Sequence, residues 1–387
     1  MLKLLRNPMY IYILGFSITF LVYALDWSGI YPPISFEIKI FFSITFLGFI
    51  LFGFAVDCLK LINKTFSKTK TILISRCFYF LLIFYGLEFL AENDIPLISK
   101  ILGRQGVRYT EFGIPVLHGV LISFNSFLIA HSFATYMATK NKKILIYYLL
   151  LYVPPLLFIS RSIMVIGLLT SFFIFLHFIE KIKFWTWVKL TGIILFCLYF
   201  FGVVGNLRSG GAYIYQESLA SDDFMESSIP KEYYWTYLYA AAPLANFQNT
   251  VDKKKVYDYS FKGFIFHENL PQIISKKFGP LFGIEERDLV RIVPWLTVGT
   301  AYAKSYSYLE WFGPYLLFIF NIIFYLFIIL VGVPKTSNYH ITTISILSVI
   351  ILMNIFGNIL VVTGIIFQLA YCILFAFLEG KKFVLRI

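Results

Sequence analysis

Charged side chains are scarce in this sequence: 14% of its 387 residues are Asp, Glu, Lys or Arg, against 59% that are hydrophobic. A water-soluble chain of that composition has nowhere to hide its apolar surface, so soluble globular classes are excluded and an integral membrane protein is indicated. Cysteine is scarce too. Cys58, Cys77, Cys197 and Cys372 lie in or beside apolar runs and none lies in the long polar region. That excludes a disulfide framework and a paired-cysteine metal motif. There is no low-complexity tract and no internal repeat. No small-residue cleavage site follows the first apolar run, near 9–25, which is therefore expected to stay as a first span rather than leave as a signal peptide. The net charge of +12 raises nucleic acid as a partner. The lysines, however, are dispersed among short loops between apolar runs, which argues for topology signals instead.

What the chain does have is aromatic and aliphatic bulk, with 44 Phe, 27 Tyr and 6 Trp. Crossing the hydrocarbon takes about 20 apolar residues in a helix. Runs of that kind fall near 9–25, 39–57, 71–91, 114–137, 143–159, 162–179, 185–203, 308–332, 340–356 and 359–378, predicting an all-α polytopic membrane protein of about ten transmembrane helices. Pro154-Pro155 and the "SRS" at 160–162 predict a kink and a tight turn between the fifth and sixth. Three parts follow: a bundle of about seven helices over 1–203, one large polar loop over 204–307, and about three helices over 308–387.

The positive-inside rule orients the bundle. "KLINKTFSKTK" (60–70), "TKNKK" (139–143), "EKIK" (180–183), "PK" (334–335) and the tail "GKKFVLR" (380–386) occupy alternate connections. With Lys3 and Arg6 they place both termini in the cytoplasm and the 204–307 loop outside. The arginines then separate from the lysines: Arg104, Arg108, Arg161, Arg208, Arg287 and Arg291 all fall on the outer side. Guanidinium offers a planar fork of donors suited to a bidentate grip on phosphate. An outer face that holds a phosphate-bearing anion is the expectation. Arg104 and Arg108, like Arg287 and Arg291, are four apart, a spacing that on a helix puts both on one face. Glu285, Glu286 and Asp288 stand ready to neutralise the second pair. Arg161 and Arg208 each emerge directly from an apolar run, and Gly205, Gly210 and Gly211 surround Arg208, where bare backbone can approach a ligand.

Acid and base candidates on the outer side are few. His267 and Glu268 are adjacent in "FIFHENLP", Glu310 sits in "SYLEWFGP", and His118 lies about a turn inside the fourth run. His131 and His177 read as bundle-packing residues. Asp222-Asp223 is half a metal site without a partner motif. Within the loop, "YYWTYLYAAAPLANF" (233–247) is aromatic, helix-compatible and too short to span, and is expected to lie on the membrane surface.

The span count, the late outer loop, the arginine soon after the span that enters it, and the stretches "TYLYAAAPLANF" and "VGTAYAKSYSYLEWFGPYLL" resemble bacterial O-antigen polymerases, the Wzy-type oligosaccharide repeat-unit polymerases. The resemblance implies a GT-C-like glycosyltransferase of the bacterial inner membrane. Such an enzyme polymerises undecaprenyl-pyrophosphate-linked oligosaccharides at the periplasmic face, toward O-antigen or a related lipopolysaccharide glycan. It implies no metal or other cofactor, membrane lipids and a chain-length regulator as partners, and no nucleic acid. On this reading Arg208 and Arg161 hold the departing diphosphate and Arg287 and Arg291 complete the clamp. Arg104 and Arg108 add to the pyrophosphate site, and Glu310 or His267 serves as general base. The alternatives are an O-antigen ligase acting on lipid A core, a lipid-linked oligosaccharide flippase, and an acyltransferase built on His131 or His177.

Overall fold

The computed structural model of the protein describes residues 2–62, 71–104, 112–181, 183–209, 211–253 and 258–384. Arg108, Gly210 and most of the lysine-rich 60–70 connection lie outside them. Among the described residues the chain is all-α, with one isolated bridge between Ser28 and Ala220. The first stretch contains α1 (Leu2–Arg6), α2 (Pro8–Tyr23), α3 (Phe36–Cys58), α4 (Thr71–Glu92) and α5 (Pro96–Ile101). Next come α6 (Leu117–Thr139), α7 (Lys142–Leu150), α8 (Val153–Leu157), α9 (Arg161–Phe178) and α10 (Phe184–Ser209). The polar region carries α11 (Gly211–Glu217), α12 (Asp222–Glu226), α13 (Tyr233–Asp252), α14 (Phe261–Glu268) and α15 (Gln272–Phe278). The chain ends with α16 (Ala301–Leu309), α17 (Phe312–Phe327), α18 (His340–Met353) and α19 (Thr363–Val384).

Seven of these helices are long and apolar enough to cross a membrane: α3, α4, α6, α9, α10, α17 with its π-helical extension to Gly332, and α19. The shorter apolar α2 and α18 join them. This differs from ten even spans. The expected fifth span, 143–159, is two short helices, α7 and α8, because Pro154 and Pro155 cannot donate into a continued ladder. Helix starts follow ordinary capping chemistry. Asn7 precedes Pro8 and accepts from the Met9 N–H at 3.1 Å, and Ser35 caps α3 through the Ile38 N–H.

The core forms around α18, whose residues are buried almost throughout and which packs on α2, α6, α9 and α19. A helix apolar all round is stable only inside other helices or lipid. By contrast α10, also apolar enough to cross a membrane, has 6% of its apolar window buried and meets the rest chiefly through α13. That seam is close: a Cβ on Gly202 would fall 1.9 Å from the Glu232 carbonyl oxygen, and one on Gly205 2.7 Å from the Trp235 ring. Gly205 therefore serves helix packing.

Helix α13 also departs from expectation. It is a 20-residue helix buried against α2, α10 and α16 rather than a strip on the membrane surface. Its small face, Ala241, Ala242 and Ala245, admits neighbours closely, and its tyrosines find aromatic partners: Tyr234 lies 5.0 Å from Phe224 and 5.8 Å from Tyr237. Burial inside the protein removes more apolar area from water than contact with headgroups would.

Contacts gather the connections into two sets. Arg6 donates to the Leu176 carbonyl at 2.8 Å and to that of Ile179, closing the C-terminal end of α9, and Lys335 reaches the Leu59 carbonyl at 3.3 Å. In the other set, Gly29 N–H donates to Leu219, Ser35 N–H to Gln248, and Ile273 N–H to Thr363.

Candidate functional site

Two chain segments meet beside the second set of connections and enclose a cavity of about 200 Å³. The first is α14, started by Ser260, whose hydroxyl accepts from the Gly263 N–H at 3.1 Å. A Cβ at Gly263 would lie 2.7 Å from the Tyr308 ring, so glycine there lets α14 rest directly on α16. This brings His267 and Glu268, at the end of α14, against the cavity. The second is the chain after α18. Asn354 accepts the Ala301 N–H at 2.8 Å, locking the start of α16 to the end of α18. Asn358 then donates through Nδ2 to the Glu268 backbone carbonyl at 2.7 Å and to its Oε2 at 3.1 Å.

Floor and mouth differ in charge. Glu268 is 3% exposed. Burial pushes its carboxyl up to about 7, against the opposing effects of the Asn358 hydrogen bond and the Lys304 charge. A carboxyl so tuned exchanges a proton near neutral pH, the property a general base needs. At the mouth Glu286 and Lys304 form an ion pair of 2.7 Å. Burial raises the Glu286 carboxyl, but the hydrogen bond and charge of Lys304 outweigh it and hold it below its ordinary value. Three further lining atoms are buried without a partner in the protein: His267 Nε2, Thr300 Oγ1 and Asn358 Oδ1. A hydrogen-bonding group that entered the cavity would meet all three.

Of the residues singled out in the sequence, His267 lines this cavity, its ring stacked at 6.1 Å on that of Tyr308. Glu310 does not. It is exposed at the end of α16, with a positive φ (49°) and its N–H on the Tyr306 carbonyl. Arg287 lies near by, over the Tyr308 ring at 4.9 Å, and its guanidinium donates to the Ser307 and Asp258 carbonyls. Arg291 is exposed and donates to the Pro294 carbonyl at 2.8 Å. The expectation of a shared helix face for these two is corrected. Residues 284–300 contain no helix, because side chains of α13 take the backbone bonds a helix would need. Asn246 accepts from Ile292 N–H at 2.8 Å and donates to the Leu296 and Val298 carbonyls at 2.9 and 2.7 Å, and Asn249 donates to that of Val290.

The remaining arginines belong to other elements. Arg161 is the exposed first residue of α9, and Arg104 is exposed after α5. The backbone of Arg208 is in the last turn of α10, still helical rather than in a loop, and its side chain is outside the described ones. Arg108 is outside the described residues altogether. His118 pairs through Nδ1 with the fully buried Glu88 at 2.9 Å, between the rings of Phe112 and Phe158. His131 is buried against Tyr339 and Thr342.

Sequence reading passed over Lys304, Thr300 and Asn358. Nothing local distinguishes them, since two segments distant in sequence, 300–304 and 358, bring them to one cavity. Glu268 was visible as the neighbour of His267, but its selection needed its burial. No family model, curated protein or solved structure matches the chain.

Proposed function

We propose that the protein is a membrane glycosyltransferase that polymerises oligosaccharide units carried on a polyprenyl diphosphate, with the cavity as its reaction centre. The observation that carries this reading is the buried Glu268 carboxyl, tuned to about 7 and facing a cavity ringed with unsatisfied hydrogen-bonding atoms. Membrane spans supply access to a lipid-borne donor, and the short stretches that resemble the Wzy-type polymerases point to the same chemistry. The inner membrane, with the cavity at its periplasmic face, is the proposed setting.

In this mechanism the acceptor sugar hydroxyl lies against Glu268. As the hydroxyl oxygen attacks the anomeric carbon of the donor, its proton passes to the carboxylate, and the bond from that carbon to the diphosphate oxygen breaks. The bonding pair leaves with the lipid diphosphate. Asn358 holds Glu268 from behind, and His267, stacked on Tyr308, presents Nε2 to the same space. Outer-side arginines, with Arg161 and Arg208 foremost, are the proposed partners of the leaving group. Charge stabilisation of that kind is worth about 3 kcal/mol for one well-placed donor.

The test is reconstitution in nanodiscs with a polyprenyl-diphosphate-linked oligosaccharide, followed by electrophoresis of the glycan. The expected product is a ladder of multiple repeats. Glu268→Gln should lower the rate by about a hundred- to ten-thousand-fold, the range general base catalysis contributes. An undiminished ladder from Glu268→Gln would remove it as the base. No ladder from the unaltered protein, with transfer to a lipid A core or movement of intact units across vesicles instead, would replace the reading by the ligase or the flippase.

A further inference from the structure

We propose that the cavity selects an uncharged sugar unit and rejects acidic ones, with the Glu286–Lys304 pair as the element that sets this preference. The inference rests on the glycosyl-transfer reading for the word sugar, but its argument is the charge and hydrogen-bonding inventory of the cavity. Lys304 is the cation named at the mouth, and it is committed to Glu286 at 2.7 Å. Among the described residues that line the cavity there is no arginine. The buried floor contributes Glu268, 3% exposed, and no cation. Among the described lining residues no positive charge stands unpaired, and Lys276 acts on Glu286 only from outside the lining, so a carboxylate or phosphate entering this space is stripped of water with little compensation, which is unfavourable.

The unpartnered atoms narrow the guest further. Asn358 Oδ1 can only accept, Thr300 Oγ1 both donates and accepts, and His267 Nε2 does either according to its tautomer. A phosphate offers acceptors and leaves Asn358 Oδ1 unmatched. Sugar hydroxyls donate and accept at once, and so match the whole set. The volume agrees, since about 200 Å³ lies below the roughly 300–1,000 Å³ of sites for drug-sized molecules and suits a single ring. The diphosphate of the donor then sits outside this cavity, and the cavity receives the sugar alone.

The pair at the mouth makes the preference reversible by design. Its side chains are 35% and 41% exposed, so either can be neutralised without burying a lone charge. Glu286→Gln frees Lys304 and turns the mouth positive. Lys304→Met frees Glu286 and turns it negative.

Isothermal titration of the full chain in nanodiscs tests this with three probes: maltotriose, tri-galacturonic acid and tri-glucosamine. The unaltered protein should bind maltotriose at least about tenfold more tightly than the acidic trimer, the penalty expected for one unpaired charge at a partly desolvated site. Glu286→Gln should gain affinity for the acidic trimer by about tenfold with little change for maltotriose, and Lys304→Met should gain affinity for the cationic trimer instead. Equal binding of acidic and neutral trimers by the unaltered protein overturns the proposal, as does a Glu286→Gln variant with unaltered preference. If the preference follows these rules but no polymer forms in reconstitution, the polymerase reading fails while the cavity assignment stands. A polymer that forms with no charge preference at the cavity does the reverse.

Discussion

Glu268 and Arg291 are ionisable groups of the same polar region, yet one is 3% exposed on the floor of a cavity and the other reaches solvent with its guanidinium on the Pro294 carbonyl. The floor carries a carboxyl held by the Asn358 side chain, and burial has raised its ionisation. The arginine-bearing strip at 284–300 is built from backbone, laid across α13 and stitched to it by Asn246 and Asn249. Desolvation makes the first responsive to pH and to a single altered atom. Solvent screening leaves the second to act through position, so its charges matter only where a ligand's phosphate arrives. Abundance of charge and chemical readiness are therefore separate properties in this molecule, and the scarce acidic floor has more of the second.

Three measurements sharpen or break that contrast. Of these three, the largest effect is expected at the arginines closest to the apolar helices. Arg161→Ala or Arg208→Ala should lower polymer formation by about a hundredfold or more while the protein still reaches the membrane, the loss seen when one preorganised donor is removed from a developing charge. Arg208→Lys should be nearly as damaging where a bidentate grip matters. A normal glycan ladder in a deletion strain carrying these variants would confine the chemistry to the acidic floor. Next in size is Asn246→Ala, which leaves the Ile292 N–H and the Leu296 and Val298 carbonyls unpaired and should destabilise the fold by about 3 kcal/mol. Limited proteolysis should then cut within 284–300 first, and resistance equal to the unaltered protein would mean the strip is held by something else.

The smallest effect is a pH dependence of stability. Glu268 has a folded value of about 7 against 4.5 when unconstrained, so the folded state binds the extra proton between those values. Its stabilising contribution is complete below about pH 4.5 and is lost as pH rises through about 7. The thermal midpoint should decline over that window and then level off, and Glu268→Gln should flatten that part of the curve. An unchanged slope in the variant would assign the dependence to other groups.

The long helices were legible because an uninterrupted apolar run of that length has little else to become: 39–57 became α3, 71–91 became α4 and 185–203 became most of α10. Hydropathy could not separate lipid from protein as the covering medium, which is why α10 and α18 read alike and are surrounded so differently. Helix α13 was misplaced for the same reason, since tyrosine and alanine suit an interface and a close-packed seam equally. The four-residue spacing of Arg287 and Arg291 suggested a helix face, and only the amide side chains of a distant helix decide against it. His267 and Glu268 stood out locally as an acid–base pair. The residues that complete their surroundings come from 300–304 and 358, and no local pattern links those positions.

The brevity of α18 has a geometric result. Fourteen helical residues reach about 21 Å, while the hydrocarbon layer is about 30 Å thick, so the helix cannot cover the distance by itself. At its C-terminal end follows the chain from Asn354 to the start of α19, which holds one short 3-10 turn at Ile359–Val361 and supplies Asn358 to the cavity. Because the helix stops early, the chain bends there and the Asn358 amide turns back onto the end of α14, so the truncation itself shapes one wall of the cavity.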